Sequence, residues 1–221
     1  MPQQRASPDF NLIAPVYDGL AQLVYGKAQQ RAQQHFLSSI PQGARVLVVG
    51  GGTGWILTEL LRTVQPAHIL YVEASEKMLG KARARWHQGP NSASNLVEFR
   101  LGTEADLLPQ EKFHVVMTPF VLDLFSTPEA RQMMQKLNTH LLPDGLWLHT
   151  DFQVAQEMWR RLWQKPMLWG MYTFFGWVSH LSAQKLPPFK LLFNELGLVL
   201  EDEAFFYSRF LCAQKYRQPK A

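Results

Sequence analysis

Val46-Leu-Val-Val-Gly50-Gly-Gly-Thr-Gly54 is a short aliphatic run that breaks off in glycine. With Arg45 before it, the run reads as a strand buried on both faces, because no polar residue alternates along it. Glycine at the strand end lets the backbone turn tightly and lets a ligand approach with no Cβ in the way. The amides of that turn and of the next helix can then meet polar or anionic ligand groups. Trp55 to Val64 follows with apolar residues at helical spacing. Strand, glycine turn and helix open a doubly wound sheet, which binds ligands outside the carboxyl ends of its strands.

The alternation continues outward from this unit. His68 to Val72 reads as a strand and Ser75 to Trp86 as a helix with Ser75 at its N-cap. Leu96 to Leu101 and Phe113 to Thr118 read as further strands. Pro128 to Leu142 reads as a helix, with proline in its first turn. Pro143-Asp-Gly145 is a turn, and Leu146 to Thr150 a fifth strand. A long helical stretch is expected over about Val154 to Leu181, then a short helix from Pro187-Pro188 to near Gly197. The tail from Leu198 to about Tyr216 reads as two strands. These alternating units predict an α/β fold with a mostly parallel, seven-stranded sheet. One domain is expected, with a helical cap over 1–43, a core over 44–151, an aromatic insertion over 152–186 and a helix with a strand pair over 187–221.

The glycine spacing separates two cofactor classes. A dinucleotide loop requires G-x-G-x-x-G/A, and the third small position falls on Trp55 or Leu57, neither of which fits. What stands here is G-x-G-x-G at Gly50, Gly52 and Gly54. That pattern resembles the class I S-adenosylmethionine-dependent methyltransferases, whose loop commonly reads V-L-D-x-G-x-G-T-G. Val48 departs from the acid usual in that family. Glu73, in Tyr71-Val-Glu-Ala-Ser75, ends the second strand, where a carboxylate can accept both ribose hydroxyl hydrogens. Gly102-Thr-Glu-Ala-Asp-Leu107 resembles the family's G-D-A-x-x-L segment, with Thr103 where an Asp is common. Leu141-Leu-Pro-Asp-Gly145 resembles its L-K-P-G-G turn. Phe10-Asn-Leu-Ile-Ala-Pro-Val-Tyr17-Asp18 resembles the opening of methyltransferases of ubiquinone and menaquinone biosynthesis. The resemblance implies a Rossmann-like methyltransferase fold and S-adenosylmethionine as cofactor. It implies contacts from Gly50, Gly51, Gly52, Thr53, Gly54, Glu73, Ala74, Met78, Thr103, Glu104, Ala105 and Thr118, with Tyr17 and Tyr25 contributing from the N-terminal segment.

Candidates for a base are fewer. Asp123 follows the fourth strand in an apolar run and either caps a helix or touches substrate. His149 sits late in the fifth strand, where a hydrogen-bonded core histidine is the alternative. Asp151, just beyond, reads as the N-cap of the next helix, and His180 as a lone histidine. The stretch rich in tryptophan and methionine is open to three readings: core packing, a lid over an apolar acceptor, or contact with a membrane surface over 158–181 through Trp159, Trp163, Trp169 and Trp177 beside Arg160, Arg161 and Lys165.

Composition bounds what remains. The 221 residues are 47% hydrophobic and 18% charged, ample for a packed core. The net charge of +4 comes with no dense basic run, and Met117-Thr-Pro-Phe-Val121 lacks the N/D-P-P-Y/F motif of methylation at planar nitrogens, so no nucleic-acid partner is expected. The single cysteine, Cys212, excludes an intramolecular disulfide and a multi-cysteine metal site. No metal is expected. Residues 166–184 carry no formal charge, but proline, glycine and polar residues dilute them below a membrane span. Without a leader-like apolar stretch at the start, a cytoplasmic location, peripheral to a membrane at most, is expected. The reading is methyl transfer to a small-molecule or lipid-like acceptor, with a non-catalytic binding module on the same fold as the alternative.

Overall fold

The computed structural model describes residues 26–89, 96–155, 157–179 and 185–220. Seven strands form one sheet: β1 Arg45–Val49, β2 His68–Glu73, β3 Val97–Leu101, β4 Phe113–Pro119, β5 Leu141–Phe152, β6 Val199–Phe206 and β7 Leu211–Arg217. Their order is β3-β2-β1-β4-β5-β7-β6. Neighbours are parallel from β3 to β5, and β7 runs antiparallel to both β5 and β6. Among the described residues six α-helices accompany them: α1 Ala28–Gln34, α2 Trp55–Thr63, α3 Glu76–His87, α4 Thr127–Asn138, α5 Met158–Ser179 and α6 Phe189–Glu195.

β1 is central, so both of its faces are covered and the aliphatic run needs no polar alternation. Val46 and Val48 pack with Ile56, Leu57 and Leu60 of α2 on one side. Leu47 and Val49 pack with Met133 and Leu137 of α4 and Leu192 and Phe193 of α6 on the other. Chain order reverses direction between β1 and β4, which puts the glycine turn at the topological switch point. The Val48 side chain lies wholly within the first layer; an acid there would need a partner inside an apolar cluster.

Local signals set most boundaries. Ser75 caps α3 by accepting the Met78 amide at 3.3 Å. α4 starts one residue before Pro128, because Ser126 and Glu129 form a capping box ahead of it. The fifth strand differs from expectation. It begins at Leu141, pairs with Phe113, and absorbs Pro143-Asp-Gly145 as a bulge before resuming at Leu146 opposite Val115. It also runs on to Phe152, so Asp151 is a strand residue paired with Cys212 and not a helix cap. Val154 and Ala155 belong to neither helix nor strand, and α5 starts only at Met158. The Phe10–Asp18 segment, Tyr17, Tyr25 and His180 lie outside the described residues.

A third cluster ties α5 to the sheet through Phe152, Leu168, Phe210 and Leu211. Gln164, fully buried, accepts the Ala155 amide at 2.8 Å and donates to the Ser208 carbonyl at 3.0 Å. Gln153 donates to the Arg209 carbonyl at 3.1 Å. Two glutamines thus hold the β6–β7 turn, whose Tyr207, Ser208 and Arg209 all adopt left-handed backbone.

Candidate active site

Gly50, Gly52 and Gly54 all take positive φ, +69°, +62° and +84°. Glu73, 7% exposed at the end of β2, grips the loop between them. One carboxylate oxygen accepts the Gly52 amide at 3.0 Å and the other accepts the Ser75 amide at 2.9 Å. Burial pushes this carboxyl above its ordinary value, while amides of Ser75, Gly52 and Ala74 pull it back. Tyr71, fully buried one turn of the pleat earlier, donates its hydroxyl to the Gly52 carbonyl at 3.0 Å. Both backbone polar groups of Gly52 are therefore fixed from β2.

The other expected cofactor residues surround this loop. Gly51 is half-buried and Thr53 buried, Ala74 is exposed and Met78 is buried at the first turn of α3. Thr103 caps the short Glu104–Asp106 turn: its hydroxyl accepts the Ala105 amide at 3.2 Å, and its own amide donates to Asp106 at 2.8 Å. That use of the threonine rationalises its place where the family has an acid, and leaves Glu104 half-buried and Ala105 exposed at the end of β3. Thr118 sits beneath the site. Its hydroxyl is fully buried, accepts the Trp147 indole N–H at 2.9 Å, and lies 3.3 Å from His149 Nδ1, so its side chain supports β5 and does not reach toward a ligand.

The segment after β4 joins the loop to the next strand. Val121 packs so closely on Gly50 that a Cβ there would lie 2.5 Å from it. Two residues on, the Asp123 amide donates to Asp151 Oδ2 at 3.2 Å, while the Phe152 amide donates to Oδ1 at 2.8 Å. The two carboxyls are close enough for each to influence the other's titration. Both are buried, 2% and 1% exposed, and desolvation raises both above the usual carboxylate range. His149 is different: 2% exposed and edge-on to Phe189 at 4.6 Å, it is pushed down to about 3 by burial. It is neutral at physiological pH and a poor proton acceptor, contrary to its candidacy as a base. Cys212 is buried, and its thiol is pushed up to about 12, an unreactive state.

Sequence reasoning missed Tyr71, Val121 and the partnership of Asp151 with Asp123. Tyr71 carried a weak signal as the single hydroxyl in an aliphatic strand. Asp151 carried none, because its role depends on where β5 ends. The loop fits a nucleoside: a Cβ on Gly52 would meet no atom within 4 Å, so its Cα face opens onto free space beside a buried carboxylate.

Comparison with known proteins agrees. Residues 46–145 match the family described as "Methyltransferase domain". The ubiquinone/menaquinone biosynthesis C-methyltransferase UbiE of Geobacter sulfurreducens is 25% identical over 209 residues, 88% of this chain and 80% of that protein. The malonyl-[acyl-carrier protein] O-methyltransferase of Bacillus anthracis is 25% identical over 166 residues, 67% of this chain, which spans only 57% of that relative's length. In fold, the 1,6-didemethyltoxoflavin-N1-methyltransferase of Burkholderia thailandensis, solved with bound 1,6-didemethyltoxoflavin and S-adenosylhomocysteine, superposes with a TM-score of 0.68 at 13% identity, over 95% of this chain and 86% of that one. Over residues 46–145 in sequence, and across the whole sheet in fold, the chain is similar to methyltransferases. Its sequence is similar to the quinone-biosynthesis enzymes at the 25% level.

Proposed function

We propose that the acceptor is a small, apolar or lipid-like molecule methylated at the carboxyl ends of β4 and β5. The observation that carries this reading is the Val121–Asp123 segment, which touches Gly50 of the cofactor loop at one end and the Asp151 strand at the other. S-Adenosylmethionine supplies, when bound, a methyl group on a sulfonium leaving group, so the protein's task is orientation and exclusion of water. Glu73 receives the ribose hydroxyls and Met78 packs on the adenine. Tyr71 keeps the Gly52 carbonyl turned away from the ligand. Asp123 accepts the proton of an oxygen or carbon acceptor, since burial raises its pKa to about 7, matching proton transfer near neutrality. His149 holds the packing behind them. A non-catalytic role is not favoured, because the relatives matched are enzymes.

The outer side of α5 supports an approach to a membrane surface. Met158, Trp159 and Leu162 are exposed on it, beside Arg161, with Trp169 and Lys165 at its edge where the helix meets the cavity. Among the described residues, no helix is long and apolar enough to cross a membrane.

Calorimetric titration with S-adenosylmethionine, S-adenosylhomocysteine and NADH tests the site. Both adenosyl ligands should saturate at one per chain and NADH should not. Glu73→Ala should weaken them at least tenfold, through loss of both the ribose contact and the loop tie. Binding of NADH alone, or an unchanged Glu73→Ala variant, would overturn the assignment.

A further inference from the structure

A cavity of about 1490 Å³ opens on the far side of Asp151 from the glycine loop, between β5, β7, α5 and α6. It is larger than the pockets that hold typical small ligands. Its floor is polar: Asp151, whose carboxyl burial raises well above the usual range, the neutral His149, and Gln214 and Cys212, all buried. Its walls are apolar, built from Phe152, Leu168, Leu186, Phe189 and Phe205.

The mouth is cationic. Lys165, Lys185, Lys190 and Arg209 line it, against Glu157 and Glu203. Glu203 is closed by Lys190 at 2.6 Å, and Glu157 by Arg160 at 3.0 Å. Among the described residues, Lys165, Lys185 and Arg209 make no ion pair. Arg209 is also held in place: its left-handed backbone is fixed through Gln153, and its guanidinium lies over the Phe205 ring at 3.8 Å. It shares the field of Glu203, but that carboxylate already faces Lys190 and Gln214.

We propose that this cavity binds an anionic amphiphile, a hydrocarbon body ending in a carboxylate or phosphate, with the body against the aromatic walls and the anion among Lys165, Lys185 and Arg209. That this ligand is also the methyl acceptor rests on the reading above; the binding itself does not. An apolar chain gains by leaving water for such walls, and a surplus of fixed cations at one mouth selects the charge of the head group. A neutral or cationic amphiphile would forgo the second gain.

The full chain is titrated at submicellar concentration with dodecanoate, dodecyl phosphate, dodecanol and dodecyltrimethylammonium, and with S-adenosylmethionine in parallel. Both anions should saturate at one per chain, dodecanol at least tenfold weaker and the ammonium weaker still. Lys165→Glu with Arg209→Glu should bring the anions to within twofold of dodecanol while S-adenosylmethionine binds as before. Lys165→Gln with Lys185→Gln, a milder change at exposed positions, should narrow the preference severalfold if the first variant folds poorly. Equal affinity for all head groups, no saturation by either anion, or a charge-reversed chain that keeps its preference would overturn the proposal. Cofactor binding without amphiphile binding refutes the cavity alone; amphiphile binding without cofactor binding refutes the methyl-transfer reading alone.

Discussion

A methyl group added at Gly54 would run into the Ala82 backbone, 2.8 Å from its Cα, whereas one added at Gly52 meets no atom within 4 Å. Both residues have left-handed φ, which costs an L-residue about 1–2 kcal/mol. Gly54→Ala adds a forced separation of α3 from the loop, and overpacking of that kind costs about 1–3 kcal/mol more. Gly54→Ala is therefore expected to lower the melting temperature clearly. Gly52→Ala should cost about 1 kcal/mol in stability yet weaken S-adenosylmethionine at least tenfold, because its methyl fills the space the ligand needs. Thermal melts and calorimetry on the same two variants separate the effects; a Gly52→Ala chain with full affinity would place the ligand elsewhere. At this scale the sequence was most legible where a residue type has one physical use. Three spaced glycines and an acid at the end of β2 could be read directly. Thr118 could not, because its direction depends on Trp147 and His149 on the neighbouring strand.

Among the elements, β5 and α5 departed furthest from their sequence pattern. Pro143-Asp-Gly145 has the composition of a turn, and it does turn, but as a bulge that pairing with β4 and β7 carries through. That tertiary support is invisible in a local window, and it decides whether Asp151 caps a helix or faces Asp123. In α5 the aromatic content was legible and the division of its faces was not. Trp163 turns inward to Tyr207 and Phe210, as Gln164 and Leu168 do, while Trp159 and Trp169 are 61% and 72% exposed. Large exposed apolar groups flanked by cations suit the interface of an anionic bilayer. The chain is expected to sediment with phosphatidylglycerol vesicles more than with phosphatidylcholine vesicles. Trp159→Ser with Leu162→Ser, both away from the cavity, should reduce that fraction severalfold without moving the melting temperature by more than a few degrees. Equal recovery in the supernatant with and without vesicles would remove the membrane from the reading.

Across the whole molecule, buried ionisable groups at the carboxyl edge of the sheet give stability a definite response to pH. His149 is pushed down to about 3, against about 6.5 in an unfolded chain. The unfolded state binds the extra proton between those values, so the stability gained from a neutral His149 is present above about pH 6.5 and lost on acidification. The Asp123–Asp151 pair acts in the opposite sense. Its raised carboxyls keep protons that the unfolded chain releases near pH 3.9. Its contribution is fully present below that pH and declines as pH rises through the folded values. Between about pH 4 and 6.5 the two slopes oppose each other, each limited to about 1.4 kcal/mol per pH unit and proton. Above pH 6.5 the histidine no longer contributes a slope and the pair does. Melting temperature is therefore expected to fall from pH 6.5 to 8 at constant ionic strength. Asp123→Asn with Asp151→Asn should flatten that fall, and His149→Gln should leave it intact while softening the loss of stability below pH 6.5. A double variant that reproduces the wild-type decline would show that the two carboxyls are already ionised in the folded protein over this range.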